Sequence, residues 1–113
     1  MENQEKAALY RLHAEFCKTL ADANRLLIIS ELTKGEVSVN ELARRLDLHQ
    51  SNVSKHLAVM RERGLVNTRR EGATIYYALA DTRIAQAIRL LREVQTDRIE
   101  RHRLLAQALP DTR

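Results

Sequence analysis

Apolar residues recur at helical spacing in the first third of the chain and predict two helices. Over residues 3–20 they follow one another at steps of three and four, as on one face of a helix. These residues are Leu9, Leu12, Phe16 and Leu20. A second helix is predicted over 23–34, with Asp22 as its N-cap and Gly35 as the residue that ends it. Its inward positions are expected to be Leu26, Ile29 and Leu32.

Two further short helices follow, and their spacing is typical of a helix-turn-helix. The run SVNE at 38–41 has the form of a capping box, which places the third helix over 39–46. A fourth helix is predicted over 50–63 and ends at Gly64. Because only a tight turn separates these two helices, a helix-turn-helix is expected over 39–63.

After the fourth helix the pattern changes to that of strands. Residues 65–70 and 74–79 read as two strands joined by a tight turn around Gly72, which predicts a β-hairpin wing over 65–79. A long last helix is predicted over 82–109, and its apolar stripe is too long for a small body to cover. The stripe consists of Ile84, Ile88, Leu91, Val94, Ile99, Leu105 and Leu109. A partner is therefore expected to cover it.

Composition agrees with one small domain over 1–113, mainly α with a small β-hairpin, that is, a winged helix-turn-helix. Aromatic residues make up only 4% of the 113 residues, which favours packed helices over a β-sandwich. The net charge of +4 is compatible with a nucleic-acid partner but does not prove one. No apolar run is long enough to span a bilayer, and the charged N-terminus does not resemble a secretory signal. With Cys17 as the single cysteine, a reducing cytoplasmic setting and no membrane partner are expected.

The fourth helix carries the predicted DNA-contacting face. Val53, Leu57 and Met60 share one side of it and are expected to point inward. The opposite side bears short polar groups and a cation, which suit hydrogen bonds to base edges and neutralisation of phosphate. These residues are Gln50, Ser51, Ser54 and Lys55, with His56 at the margin. The alternative, an ordinary solvated helix face, is disfavoured by the capped helix before it and the basic hairpin after it.

The wing supplies two further candidates, because Arg69 and Arg70 come directly before its turn. Arginine in such a loop can reach the minor groove or flanking phosphates. Successive residues of a strand point to opposite sides, so we do not expect both to face DNA.

These segments together resemble the ArsR/SmtB family of winged-helix repressors over about residues 10–95. The most specific parts are LADANRLLII, QSNVSKHL, RERGLV and EGATIYYAL. The resemblance implies a homodimer formed by the first and last helices, an inverted-repeat operator in double-stranded DNA, and repression that an inducer relieves. It also implies DNA contacts by Gln50, Ser51, Ser54, Lys55 and His56 and by the wing residues Arg69 and Arg70. One departure is His49, where the family often places a serine as N-cap and where histidine caps poorly.

The metal sites usual in that family are not expected here. The third-helix site needs Cys-x-Cys, but residues 36–42 offer no cysteine. The last-helix site needs an Asp-x-His pair, but Arg83 stands where its histidine would be, and His102 lacks the later glutamate. His13 and Cys17, four residues apart, remain candidates for half of a Zn(II) or Cu(I) site completed by His102 of the partner. The alternative, which we adopt, makes Cys17 a small apolar filler, with no cofactor.

The residues bear on two other function classes and on one redox alternative. Catalysis is not expected, since the chain has no Gly-rich phosphate loop, no nucleophile elbow and no paired carboxylates in a pocket-forming context. A winged helix can instead serve as a protein-interaction module, although such modules commonly lose the positive charge that Lys55, Arg69 and Arg70 keep here. A disulfide between the Cys17 residues of two protomers is a further alternative, if the first helix lies at the dimer interface.

Overall fold

The computed structural model describes residues 2–108, which form five helices and three strands. In chain order these are α1 (Glu2–Leu20), α2 (Ala23–Leu32), β1 (Val37–Ser38), α3 (Val39–Leu46), α4 (Gln50–Glu62), β2 (Val66–Glu71), β3 (Thr74–Leu79) and α5 (Thr82–Ala108). The predicted winged helix-turn-helix is confirmed, with every predicted helix and both strands of the hairpin present. Leu109, predicted as the last residue of the final helix, lies outside the described residues.

The strand β1 is the element that the sequence analysis missed. It pairs antiparallel with β3, so that Val37 faces Tyr77 and Ser38 faces Tyr76. The sheet therefore has three strands in the order β1-β3-β2, where a two-stranded hairpin was expected. Two residues are too short to show a strand period, and Ser38 also belongs to the helix cap that follows. The consequence is that the wing is hydrogen-bonded to the residue pair from which α3 starts.

The core lies between α2, α3, α4 and the base of the sheet. Its buried apolar residues are Ile28, Ile29, Leu32, Val37, Leu42, Ala43, Val53, Leu57, Met60, Leu65 and Val66. All three predicted inward residues of α4 are among them, each fully buried. The prediction for Leu26 is wrong, because its side chain is 38% exposed. Residues 26–29 are all apolar, so periodicity alone cannot tell which of them face the core.

The turn between α3 and α4 is tight because Asp47 adopts a left-handed conformation, with φ 53° and ψ 48°. Aspartate enters this region more readily than most residues other than glycine. The Leu48 N–H then donates to the Ala43 carbonyl oxygen over 3.0 Å, which closes the end of α3. At the end of α4, Gly64 has φ 77° and the Leu65 N–H donates to the Met60 carbonyl over 2.8 Å. These two hydrogen-bonded turns fix the direction of α4 relative to α3 and β2.

Only half of the predicted capping box forms at the start of α3. The Ser38 hydroxyl accepts from the Glu41 N–H over 3.3 Å, as predicted. The Glu41 carboxylate turns instead to Arg44 and Arg45 of its own helix. The Arg44 hydrogen bond, with a second from Arg45, lowers the pKa of Glu41 to about 2. The serine is thus the part of the box that caps the helix.

Replacing Ser38 with alanine is expected to lower the free energy of unfolding by about 1 kcal/mol, because the Glu41 N–H in the first turn of α3 loses its acceptor. Chemical denaturation measured at a fixed protein concentration checks this value. Ser54→Ala is the matched control, since Ser54 is exposed within α4 and that substitution is expected to change stability by less than about 0.5 kcal/mol. Equal losses for the two variants would show that Ser38 does not cap α3.

Candidate nucleic-acid interface

The helix α4 presents a polar face to solvent because its apolar side is held in the core. Val53, Leu57 and Met60 are each fully buried against α2, α3 and the sheet. The four polar residues predicted for the outward side are all exposed: Gln50, Ser51, Ser54 and Lys55. Across the described part of the chain, Lys55 forms no salt bridge, so its charge is available to an anionic partner. The face has the composition that the sequence analysis assigned to it.

Asn52 is a residue of this face that the sequence analysis passed over. It lies exposed in the first turn of α4, next to Ser51. A carboxamide is the side chain that pairs in bidentate fashion with an adenine edge. The residue type and its position on the helix were both visible in the sequence, so this signal could have been used.

The N-terminus of α4 is left open. His49 occupies the N-cap position with φ −64° and ψ 136°, and its side chain makes no capping hydrogen bond to the described chain. This agrees with the expectation that histidine caps poorly. The first turn of α4 also carries no acidic residue. The partial positive charge of the helix terminus therefore faces solvent without a compensating anion from the first turn.

His56 is placed differently from the other predicted contacts. Its side chain is only 19% exposed and turns toward α2. The imidazole Nδ1 accepts a hydrogen bond from Arg25 Nε over 3.2 Å. The other nitrogen, Nε2, lies 3.9 Å from a carboxylate oxygen of Asp22. The structure therefore sets His56 against the α2 helix, at the edge of the polar face.

The two wing arginines point to opposite sides of the sheet, as expected. Arg69 pairs with Glu36, which precedes β1, and with Glu71 on its own strand, at 3.1 and 3.0 Å. Its guanidinium also lies 4.9 Å from the centre of the Tyr76 ring. The hydrogen bond from Arg69 holds the pKa of the Glu36 carboxyl below its ordinary value. Arg69 thus fastens the wing to the segment before α3.

Arg70 lies on the other side of the wing. It stands opposite Ile75 in the register of the hairpin, two residues beyond Thr68 on the side that begins with buried Val66. Its side chain is exposed, and it forms no salt bridge within residues 2–108. Of the two arginines, Arg70 is therefore the one whose charge is free.

A second surface is formed by α1 and α5, and it is strongly apolar. No residue of α5 is buried. The exposed large apolar residues of the two helices are Leu9, Tyr10, Leu12, Phe16, Leu90, Leu91, Val94, Ile99, Leu104 and Leu105. An open apolar groove of about 650 Å³ continues this surface between α1, α2 and α5. Its lining includes Cys17, Leu20, Leu26, Leu27 and Leu91.

The candidate metal ligands lie on this second surface. His13 and Cys17 are exposed on α1, and His102 is exposed near the end of α5. Within residues 2–108 of one chain, these three do not form a metal-binding group, and no other three His, Cys, Asp or Glu residues do so either. Among the same residues, no helix combines the length and apolar character that crossing a membrane requires.

Comparison with known proteins gives a consistent result. Residues 22–68 match the family described as bacterial regulatory protein, arsR family. The transcriptional activator HlyU of Vibrio cholerae is 44% identical over 91 residues, which span 80% of this chain and 75% of that protein. A biofilm growth-associated repressor of Agrobacterium fabrum is 46% identical over 74 residues, or 66% of this chain and 63% of the repressor.

A solved structure extends the comparison to the fold. It is the solution structure of a homodimeric winged helix-turn-helix DNA-binding domain from Mycobacterium bovis. The two chains share 34% identity with a TM-score of 0.73, and the alignment covers 81% of this chain and 85% of the other. The arrangement of α3, α4 and the wing is therefore that of a known DNA-binding architecture.

Replacing Glu36 with glutamine is expected to lower stability at pH 7 and to lose this effect in acid. Because the folded pKa of Glu36 is depressed, its contribution is complete above about pH 4.5, its ordinary value, and is lost as pH falls through the lower folded value. Urea denaturation of wild type and variant at pH 7 and at pH 3 checks this.

Glu62→Gln is the control, since Glu62 is exposed at the end of α4 and forms no salt bridge within the described residues. Its difference from wild type is expected to be small and nearly the same at both pH values. A Glu36→Gln deficit that persists unchanged at pH 3 would exclude the ion pair with Arg69 as its source.

Proposed function

The chain belongs to the arsR family of bacterial regulatory proteins, and we propose that it binds an inverted-repeat operator as a homodimer and represses transcription there. It is a winged helix-turn-helix DNA-binding regulator, in keeping with its relatives. The observation that carries the proposal is the exposed polar face of α4, held outward by the buried residues Val53, Leu57 and Met60.

In the proposed complex α4 lies in the major groove. Gln50, Ser51 and Ser54 carry groups that can hydrogen-bond base edges or phosphates, and Asn52 adds an amide at the same end of the helix. Lys55 neutralises phosphate, which contributes affinity without regard to sequence. The N-terminus of α4, which has no side-chain cap, suits a phosphate beside His49. His56 is not part of this set, because its ring is turned toward α2.

The wing adds contacts at the edge of the site. Arg70 is the wing cation that we assign to the minor groove or to a flanking phosphate, because its charge is free and its side chain exposed. Arg69 contributes indirectly, since its pair with Glu36 joins the hairpin to the segment before α3, while its pair with Glu71 lies within β2. The two adjacent arginines of the wing therefore have different roles in this proposal: Arg70 contacts DNA, and Arg69 holds the hairpin in place.

The homodimer forms through α1 and α5 in this proposal. Both helices expose rows of large apolar side chains, and an open apolar groove lies between them and α2. Monomeric proteins rarely leave an apolar surface of this extent uncovered. A two-fold axis would present two copies of α4 to half-sites about one helical turn apart, or a multiple of it, on one face of the duplex.

Repression is proposed because a dimer seated on a promoter blocks polymerase without any further surface. One relative is named as an activator and another as a repressor. We therefore expect the position of the operator to decide whether binding activates or represses transcription. We further propose that DNA binding needs no metal, since the polar and cationic side chains of the α4 face can contact DNA directly. A regulator of this kind acts by binding rather than catalysis, and it works in the cytoplasm, where bacterial DNA is.

Ser54→Glu is expected to abolish selective duplex binding, because it sets a carboxylate against the phosphates and base edges that α4 approaches. The measurement uses duplexes selected from a random pool by the wild-type protein, with a chelator present, at two salt concentrations. Ser54→Ala is the matched control and is expected to bind within about threefold of wild type, since it loses at most one neutral hydrogen bond.

Selective binding that survives Ser54→Glu would mean that another face of the protein reads DNA. If the wild-type protein selects no duplex at all, the protein-interaction alternative is favoured instead. Wild-type affinity is expected to fall steeply between the two salt concentrations, as counterion release requires.

Leu91→Arg is expected to yield monomers, because it places a charge in the middle of the apolar surface on α5, where the wild-type side chain is 65% exposed. Sedimentation equilibrium of the purified variant checks the mass. Gln86→Arg is the control, since Gln86 is an exposed polar residue of α5 that does not belong to the predicted apolar stripe, and it is expected to remain dimeric. A dimeric Leu91→Arg variant would remove α5 from the interface.

A further inference from the structure

We propose that Arg25 is a positioning residue for the recognition helix, acting through His56, and that His56 serves this contact and not a contact with DNA. The inference rests on the proposed function, because what Arg25 positions is the DNA-reading face of α4. His56 matches a position where the family resemblance implies a DNA contact, and no role was expected for Arg25.

Arg25 joins three helices by direct hydrogen bonds. It belongs to α2, and its Nε donates to His56 Nδ1 of α4 over 3.2 Å. Its Nη1 donates to the Thr19 carbonyl oxygen in the last turn of α1 over 3.0 Å. Thr19 is only 4% exposed, and it is the single buried polar residue within 2–108. A planar guanidinium reaches the two acceptors from separate nitrogen atoms in fixed directions, whereas a lysine ammonium donates from a single nitrogen.

The imidazole of His56 lies between Arg25 and Asp22 and is hydrogen-bonded to Arg25. To accept from Arg25, Nδ1 must carry no proton, so the neutral ring bears its hydrogen on Nε2. That nitrogen faces Asp22 Oδ1 at 3.9 Å. The same carboxylate oxygen accepts from the Asn24 and Arg25 N–H groups over 2.9 and 3.1 Å and so caps α2. Hence the charged groups facing the ring are Arg25 and Asp22, and both are fixed by the start of α2.

These hydrogen bonds restrain small rotations of α4 that its apolar packing permits. Val53, Leu57 and Met60 fix which side of α4 faces the core, but apolar contacts permit small rotations of the helix about its axis. A hydrogen bond from the edge of the helix restrains its rotation about its own axis. With side-chain tips about 5 Å from the axis, a rotation of about 10° displaces them by about 1 Å, enough to spoil a hydrogen bond to a base edge.

The same contact ties the recognition helix to the apolar surface. Thr19 is followed directly by Leu20 and Ala21, which line the groove between α1, α2 and α5. A change in how α1 is covered would move the carbonyl group that Arg25 holds, and with it the partner of His56. The position of α4 therefore depends on the helix proposed to form the dimer.

A double-mutant cycle tests the proposal, with affinity measured for a duplex that the wild-type protein selects from a random pool. His56→Phe keeps an aromatic ring but removes the Nδ1 acceptor. Arg25→Lys keeps the positive charge but removes the planar guanidinium with its separate donors. Each is expected to weaken affinity by about tenfold, the order of one lost hydrogen bond. The double variant is also expected to lose about tenfold, where independent effects would multiply to about a hundredfold.

His56→Asn is the rescue variant, because its side-chain oxygen can occupy the place of Nδ1 and accept from Arg25. It is expected to bind within about threefold of wild type. The dependence of affinity on salt is expected to be the same in all variants, since no phosphate contact is lost. Thermal unfolding and sedimentation of each variant separate an effect on affinity from a loss of fold or dimer.

If the affinity losses of the two single variants multiply in the double variant, the proposal is overturned and His56 is a direct DNA contact. The same conclusion follows if Arg25→Lys keeps wild-type affinity while His56→Phe binds weakly. Either result leaves the repressor function intact, whereas a wild-type protein that selects no duplex overturns both. If the variants do not fold, nitrogen NMR of the wild-type His56 ring decides. A hydrogen on Nε2 with Nδ1 as acceptor supports the proposal, and a hydrogen on Nδ1 overturns it.

Discussion

The packing of one side of α4 against the body is the constraint on which the rest of the structure depends. Val53, Leu57 and Met60 are fully buried, and together they form one wall of a core that reaches from α2 to the base of the sheet. Because a helix has a fixed angular period, burying those three residues determines which residues face solvent. The composition of the outward face is therefore a consequence of the core, and the core is what makes that face a stable surface for recognition.

The closures around α4 turn this packing into a defined direction. Asp47 in its left-handed conformation and Gly64 after the helix set where α4 begins and where β2 departs. The pairing of β1 with β3 then binds the wing to the start of α3, and the pair between Arg69 and Glu36 spans the same junction. Recognition helix and wing are thus two parts of one frame. Exposed ion pairs contribute little to stability individually, so the hydrogen-bonded strands carry most of this connection.

Local patterns predicted the elements well, because caps, glycines and period are properties of neighbouring residues. The helix-turn-helix, the wing and the polar side of α4 all followed from such signals. Contacts between distant residues did not: Arg25 and His56 are 31 positions apart, and Glu36 and Arg69 are 33 apart. Leu26 was misplaced because four consecutive apolar residues give no single stripe. The roles of individual charged residues could therefore be assigned only from the three-dimensional structure.

The absence of any buried residue in α5 has a consequence for how the protein responds to its own abundance. In the proposed homodimer, a helix of 27 residues that finds so little support within its own protomer gains most of its stabilisation from the second subunit. Folding of this segment and association are then parts of one equilibrium, in which the dimer concentration scales with the square of the free protomer concentration. Dilution after cell growth, or slower synthesis, would release the operator more sharply than a monomeric binder of the same affinity.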